Sequence, residues 1–297
     1  MKNSGLICRL YSNIYYSFYK RHDSFYFLVV ALMRLYRVAH RRINPLHVNG
    51  GWMNVQLNDP GISTELAISG VHEPISTWTL TKFLKKEYYC LDIGANMGYY
   101  TLLTAGLIGK EGKILAVEPH PENFSILREN VSMNGLRNVT CLNAACSSYD
   151  GYGRMKIMPQ SNWHSLLKDG NNSGLRVRVR KVDTLAKSFE RLDFMRMDVE
   201  GHEDKVIEGS YKTIETFRPS LFLEFHPTLA GKDSTLKLLA ELKNYGYKID
   251  HFIPRFLDWP LVGRISHAKK LSIDEYMNKI EKADPIDGRE ANVFLSA

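Results

Sequence analysis

Short apolar runs alternate with longer amphipathic segments through most of the chain. Tyr88 to Ile93 is a run of β-favouring residues, and Tyr99 to Ile108 resumes with helical character after a glycine-containing turn. Lys113 to Glu118 is a second apolar run, and Pro121 to Asn134 carries apolar residues at helical spacing. Repetition of strand and helix predicts an α/β fold, with a mostly parallel, doubly wound sheet covered on both faces.

The remaining segments extend this order. Further strands are predicted at Val139 to Leu142, Asp193 to Val199, Ser220 to Phe225, Tyr247 to Phe252 and Asn292 to Ser296, and helices at Ile75 to Lys85, His202 to Glu208 and Ser234 to Asn244. Met155 to Met158 and Leu175 to Val182 predict an inserted β-hairpin, in which Arg176, Arg178 and Arg180 alternate with valines. We expect three parts: a basic aromatic helical appendage at 1–45, a β-hairpin and helix leading into the core at 46–87, and a Rossmann-like domain at 88–297.

The turn after the first strand has a specific spacing, Asp92-x-Gly94-x-Asn96-x-Gly98. Glycines let the backbone approach a ligand closely, and the following helix N-terminus offers unpaired N–H groups. A dinucleotide fingerprint would instead read G-x-G-x-x-G. An acid before the first glycine resembles the S-adenosylmethionine loop of class I methyltransferases. An ordinary tight strand-to-helix turn is the alternative.

Residues at the carboxyl ends of the strands are candidates for ligand binding, because ligands of such sheets bind there. Glu118 ends the second strand and is placed to accept hydrogen bonds from both ribose hydroxyls, although it could instead be a solvated helix-capping acid. Asn143 to Cys146, after the third strand, would lie along the edge of the adenine ring. The predicted donor-binding residues are Asp92, Gly94, Asn96, Gly98, Tyr99, Glu118, Pro119, Ala144 and Asp198.

The fourth core strand ends in a dense group of ionisable residues, DVEGHE at Asp198 to Glu203. Asp198 and Glu200 share a face if the strand extends that far, whereas Glu203 is expected only to cap the next helix. A histidine near neutral pH is a suitable general base for a hydroxyl, so the predicted catalytic residues are His202, Asp198, Glu200 and Glu224. Which of the first three is the base stays open. A divalent metal on these four residues is a less favoured alternative, and no metal is predicted.

Five motifs in one order resemble the FkbM-type methyltransferase family: DIGANMGYYT, EPHPENF, VDTL, DVEGHE and RPSLFLEFH. The resemblance covers Glu73 to Phe252. It implies a class I methyltransferase Rossmann-like fold, S-adenosyl-L-methionine as donor and O-methylation of a hydroxyl on a sugar, glycan, glycolipid or related metabolite. Residues 1–45 match nothing in that pattern.

Charge is concentrated at the N-terminus. Residues 1–45 hold eight basic residues and one acid, which accounts for the net charge of +7. The apolar run Phe25 to Met33 is well short of the ~20 residues that span a bilayer. This appendage could pack on the body or on a second subunit in a homo-oligomer, lie on an anionic membrane surface, or bind a polyanion.

Four cysteines without a C-x-x-C pair, and no signal-peptide pattern, predict the cytoplasm, with membrane association at the inner face as an option. The expected partner is a small-molecule or glycan acceptor. An RNA methyltransferase using the basic N-terminus is an alternative, but the fourth strand lacks the N/D-P-P-Y/F of base-methylating enzymes. A non-catalytic scaffold is the other alternative, and the complete set of acids argues against it.

Overall fold

The computed structural model describes residues 44–48, 51–56, 59, 61–157, 165–166, 174–258, 268–284 and 287–297. The predicted appendage at 1–45 therefore lies outside the described residues, apart from its last two positions. No helix among the described residues has the length and apolar character needed to cross a bilayer.

Thirteen strands are present in the described chain. In chain order they are β1 (Leu46–Val48), β2 (Gly51–Met53), β3 (Tyr89–Ile93), β4 (Lys113–Val117), β5 (Val139–Leu142), β6 (Ala145–Cys146), β7 (Gly151–Lys156), β8 (Ser165–Leu166), β9 (Leu175–Arg180), β10 (Phe194–Met197), β11 (Ser220–Phe225), β12 (Lys248–Pro254) and β13 (Ala291–Ser296).

The α-helices surround these strands. They are α1 (Ile62–Ser69), α2 (Pro74–Phe83), α3 (Tyr99–Ile108), α4 (Pro121–Met133), α5 (Val182–Leu185), α6 (Glu203–Glu208), α7 (Tyr211–Phe217), α8 (Pro227–Ala230), α9 (Lys232–Asn244) and α10 (Ile273–Glu281). Short 3₁₀ turns follow α5 at Ala186–Ser188 and β12 at Arg255–Leu257.

A seven-stranded sheet in the order β12-β13-β11-β10-β3-β4-β5 forms the centre of the fold. β3 pairs in parallel with β4 on one side and β10 on the other. Only β13 among these strands runs against its neighbours, pairing antiparallel with both β11 and β12. The carboxyl ends of β3, β4, β10 and β11 therefore lie at one edge of the sheet. The strand order reverses at β3, because β4 and β5 follow on one side of it and β10 and β11 on the other.

Side chains along the central strands point alternately to the two faces of the sheet, and both faces are packed. Leu91 and Ile93 point into a core shared with α6, α9 and α10, whereas Cys90 points into the opposite core, shared with α1 to α4. All three side chains are almost completely buried. Burial on both faces explains why the strand is mostly apolar rather than alternating, with Asp92 as its charged residue.

The insertion between β5 and β10 forms a small second sheet in the order β6-β9-β7-β8. β7 and β9 form the predicted antiparallel pair, but β7 begins at Gly151, four residues before the predicted start. β9 ends at Arg180, because Val182–Leu185 turns into a short helix instead of continuing the strand. Arg176 and Arg178 lie on its exposed face.

Candidate active site

The loop between β3 and α3 is held in an unusual backbone conformation. Gly94, Asn96 and Gly98 all have positive φ, at 77°, 51° and 95°. A Cβ atom on Gly94 would lie 1.8 Å from the carbonyl oxygen of Asp198, so β3 and the end of β10 approach too closely for any side chain. The loop therefore needs glycine at this position both for φ and for space.

Asp92 is oriented inward, away from the cleft beside this loop. Its Oδ1 accepts a hydrogen bond from Arg196 Nη1 at 3.1 Å, and its Oδ2 accepts one from Thr101 Oγ1 at 2.6 Å. Arg196 also donates to the Gly94 carbonyl oxygen at 3.1 Å. Contact of Asp92 with the donor stays a prediction: its carboxylate fastens the loop to β10 and α3, and Asp92 is not among the residues that line the cleft.

A cleft of about 570 Å³, including its solvent-open part, lies beyond the carboxyl ends of β3, β4 and β10. Six predicted donor-binding residues line it: Gly94, Asn96, Glu118, Pro119, Ala144 and Asp198. The inserted sheet contributes the apolar wall of Cys146, Met155 and Leu166. Of the other predicted donor residues, Gly98 packs against Leu127 and Tyr99 is buried with its hydroxyl 2.9 Å from Thr77 Oγ1.

Glu118 joins two strand ends at the floor of the cleft. Its two carboxylate oxygens accept the backbone N–H groups of Asn96 and His120, each at 2.8 Å. Burial raises the pKa of Glu118 to about 7, although the two backbone N–H groups favour the charged form. Carboxylate oxygens fixed at this edge of the cleft suit the hydroxyl groups of a ribose, as the sequence predicts.

The end of β10 brings several acids together, as predicted, but around a different histidine. His226 Nδ1 lies 2.7 Å from Glu203 Oε1, and its Nε2 lies 3.4 Å from Glu200 Oε2 and 3.5 Å from Glu224 Oε1. Glu203 Oε1 also accepts the backbone N–H of Gly201 at 2.9 Å. Glu203 is 2% exposed, so it orients His226 and the loop in addition to opening α6.

His202 lies apart from this cluster. Its Nε2 is 2.9 Å from Ser147 Oγ, and its side chain lines the donor cleft next to Glu200. The role of His202 as general base stays a prediction, but the structure groups Asp198, Glu200 and Glu224 with His226 instead. The sequence analysis assigned no role to His226, which is the last residue of the RPSLFLEFH motif.

The ionisation of the cluster follows from burial and from neighbouring charges. Burial and the nearby Glu224 raise the pKa of Asp198 to about 7, and burial raises the pKa of Glu200 well above its ordinary value. Burial also disfavours the charged forms of Glu224 and His226. Nevertheless, Arg255 and His226 hold the pKa of Glu224 below its ordinary value, and Glu200 and Glu203 hold the pKa of His226 well above its own.

A second, smaller cavity adjoins the donor cleft and shares Gly94, Asn96 and Asp198 with it. Its other polar lining residues are His72, Glu73, Tyr99, Tyr100, Arg196, Glu224 and Arg255. Arg196, Arg255 and Glu73 received no role from the sequence. Of these three residues, only Arg196 could have been found from the local sequence. It is a lone arginine in an apolar strand and lies two positions before Asp198, so the two side chains share a face.

The sequence offers Asp198, Glu200, His202 and Glu224 as a less favoured metal site. Within the described ranges, a group with suitable spacing is instead Asp198, Glu224 and His226, whose potential ligand atoms lie within 4.8 Å of one another. Two of these ligands already have cationic neighbours, since Arg196 Nη2 is 2.9 Å from Asp198 Oδ2 and Arg255 Nε is 2.9 Å from Glu224 Oε1. The prediction of a site without metal stays a prediction.

The strand order, the glycine loop and the cleft beyond β3 and β4 define a class I methyltransferase fold. The sequence matches the Methyltransferase FkbM domain over residues 92–249, which is more than half of the chain. The chain therefore belongs to the FkbM methyltransferase domain family. The predicted family is confirmed, and methyl transfer from S-adenosyl-L-methionine is what membership of this family implies.

Individual relatives are distant. The chain is 38% identical over 59 residues to protein-L-isoaspartate O-methyltransferase 1 of Archaeoglobus fulgidus, covering 20% of this chain and 27% of that protein. It is 26% identical to methyltransferase sdnD of Sordaria araneosa over 46% of this chain and 69% of that protein. The crystal structure of methyltransferase FkbM from Methylobacillus flagellatus KT superposes with a TM-score of 0.46 and 16% identity, covering 77% of this chain and 50% of the other. The chain thus spans about a quarter of the length of the first relative and half of that of the FkbM structure.

Proposed function

We propose that this protein transfers the methyl group of S-adenosyl-L-methionine to a hydroxyl oxygen of a small-molecule or glycan acceptor. The methyl group leaves the sulfonium, which becomes a neutral thioether, and bonds to the acceptor oxygen. The proton of the hydroxyl must go to a base. Positioning and proton removal are therefore the two tasks left to the protein.

The observation that carries this proposal is the Glu200 carboxylate on the wall of the donor cleft, whose side chain is 13% exposed and whose pKa is raised by burial. A carboxylate acceptor is already ionised at neutral pH and needs no base, whereas a hydroxyl does. A carboxylate whose pKa is raised by burial is a better proton acceptor than an exposed one. Glu200 has a φ of 51°, and such strained conformations of non-glycine residues are typical of functional positions.

Roles for the neighbouring residues follow from their contacts. Glu118 binds the ribose of the donor, and Pro119, Ala144 and the apolar wall from the inserted sheet surround the adenine. The His226 imidazolium, fixed by Glu203, lies 3.4 Å from Glu200 and stabilises its ionised form. The sugar or glycan nature of the acceptor rests on the resemblance of the five motifs to the family.

Substitution at Glu200 tests this assignment. With methyl-labelled donor and an acceptor-containing metabolite extract, we expect Glu200→Gln to lower turnover by about 10²-fold or more while donor affinity is retained. Turnover of the wild type should rise with pH through the raised pKa of Glu200, and the variant should lose that dependence. His202→Gln is the matched comparison: a large loss of turnover there, with Glu200→Gln active, assigns the base to His202, one of the three candidates that the sequence leaves open.

The labelled product tests the acceptor class independently. A methyl ether formed from a hydroxyl withstands alkali, whereas a methyl ester, the product of a carboxyl acceptor, releases labelled methanol. We expect alkali-stable label. Quantitative release as methanol would show that the acceptor is a carboxyl group and that Glu200 has another role.

A further inference from the structure

The second cavity lies where the donor cleft ends, between the glycine loop and the segment that precedes α2. Gly94, Asn96 and Asp198 form the shared boundary of the two cavities. Adenosine bound along the cleft, with its ribose on Glu118, would place the rest of the donor beside this boundary. The cavity is therefore the continuation of the donor cleft beyond the ribose.

Two buried atoms of opposite charge face no partner here. Asp198 Oδ1 and Arg255 Nη1 are both buried and have no hydrogen-bond partner among the described residues. Both residues line the second cavity. Buried polar atoms without partners are uncommon, because each one loses its hydrogen bonds to water without replacement. A ligand that offers an ammonium group and a carboxylate group would satisfy both.

The orientation of Arg255 is fixed before any ligand binds. Its Nε lies 3.1 Å from Glu73 Oε1 and 2.9 Å from Glu224 Oε1, so both acids hold the guanidinium by this nitrogen. Glu73 is itself held by the Tyr100 hydroxyl at 2.5 Å and has a φ of 45°. A preorganised guanidinium with a free nitrogen suits a carboxylate.

We propose that the second cavity binds the α-amino-acid end of the methyl donor, with Arg255 as the counter-ion of its α-carboxylate and Asp198 Oδ1 as the acceptor for its α-ammonium. This inference rests on the proposed function, since it takes S-adenosyl-L-methionine as the donor. The sequence analysis placed Asp92 among the donor-binding residues, but its carboxylate already accepts hydrogen bonds from Arg196 and Thr101. Glu73 and Arg255 both lie outside the 92–249 region of the family match, so the flanking segments complete the site.

Two adenosine thioethers separate this inference from the proposed function. S-adenosylhomocysteine has the amino-acid end, and 5′-methylthioadenosine lacks it, while both share the adenosine and are uncharged at sulfur. In calorimetric titrations of the full chain, we expect S-adenosylhomocysteine to bind at least tenfold tighter. Equal affinities would overturn the inference and leave the proposed function standing. Failure of both ligands to bind would overturn both.

Arg255→Lys then tests the assigned residue. The substitution keeps the charge but removes the free guanidinium nitrogen. We expect affinity for S-adenosylhomocysteine to fall about tenfold and affinity for 5′-methylthioadenosine to stay within twofold, which also shows that the variant is folded. Glu118→Gln is the matched control and should weaken both ligands equally, because both have the ribose. If the ratio of the two affinities in Arg255→Lys equals that of the wild type, the role of Arg255 is contradicted. If the lysine variant does not fold, Asp198→Asn provides the same comparison.

Discussion

At the residue scale, four cations, three of them buried and Arg255 partly buried, keep the carboxylates of the site apart and oriented. Arg196 lies between Asp92 and Asp198, Arg255 between Glu73 and Glu224, and His226 among Glu200, Glu203 and Glu224. The fourth, His72, lies between Glu65 and Glu73. Buried ion pairs of this kind contribute little net stability but fix geometry, because removing one partner leaves an uncompensated charge.

His72 gives this network a pH dependence that can be measured. Burial disfavours its charge, yet Glu73 and Glu65 together raise the pKa of His72 from 6.5 to about 10. Because the folded pKa is the higher one, the stabilisation is fully present below about pH 6.5 and is lost as pH rises through about 10. We expect the free energy of unfolding, from urea titrations, to fall by a few kcal/mol between pH 7 and pH 10.5.

A variant comparison isolates His72 from other titrating groups. His72→Gln should be less stable than the wild type at pH 7, and the difference should narrow towards pH 10.5. His47→Gln, at an exposed histidine, should follow the wild type throughout. If the difference in free energy of unfolding between His72→Gln and the wild type does not change with pH, His72 is neutral in the folded protein.

Residues at strand ends could be predicted from the sequence, and their orientations could not. Glu118 and Asp198 were predicted to meet at the cleft because parallel strands end at one edge, and both line it. Asp92 was predicted at the same edge, but the buried Arg196 turns its carboxylate inward. Arg255 and Glu73 come from segments far apart in sequence, and no local pattern could place them together.

At the element scale, the close contact of β3 with the end of β10 explains the glycine loop and predicts its sensitivity. Gly94→Ala would put a Cβ atom 1.8 Å from the Asp198 carbonyl oxygen at a φ of 77°. We expect it to reduce stability by about 1–3 kcal/mol or more and to abolish binding of S-adenosylhomocysteine. Urea unfolding and calorimetry measure the two effects.

Gly106→Ala is the matched control for this substitution. Gly106 lies within α3, and a Cβ atom there would meet nothing within 4 Å. We expect no loss of binding and a gain in stability of about 0.5–1 kcal/mol, because alanine favours the helix. Equal behaviour of the two variants would contradict the packing of β3 against β10.

Periodicity predicted the long elements and failed for short ones. The seven strands of the central sheet appear within two residues of their predicted ends, since buried strands are continuous apolar runs. β6 and β8 have two residues each and no readable pattern. α10 was missed although its signal was present: Ser272 and Glu275 form a capping box, and Ile273, Tyr276 and Ile280 form its buried face.

At the scale of the whole molecule, the net charge of +7 belongs to residues 1–45. We propose that this appendage binds anionic lipid surfaces and is dispensable for methyl transfer. Each basic residue near such a surface contributes about 1 kcal/mol, so an excess of seven is sufficient for attachment. Cytoplasmic location and self-association stay predictions.

Vesicle sedimentation tests the appendage. The full chain should sediment with vesicles that contain phosphatidylserine and not with neutral vesicles, and its binding should weaken with salt. The chain without residues 1–45 should stay in the supernatant with both and retain its affinity for S-adenosylhomocysteine. Equal partitioning of the two proteins would contradict lipid binding by the appendage.

The central claim, that the cleft beyond β3 and β4 binds the methyl donor, is tested most directly by calorimetric titration with S-adenosylhomocysteine at pH 8, where Glu118 is ionised. The wild type should bind one equivalent, and Glu118→Ala should lose about 1–3 kcal/mol of binding free energy with the ribose hydrogen bonds. Glu122→Ala, at an exposed acid in the first turn of α4, should bind as the wild type does. Unchanged affinity in a folded Glu118→Ala variant, or no binding to the wild type, would contradict the account.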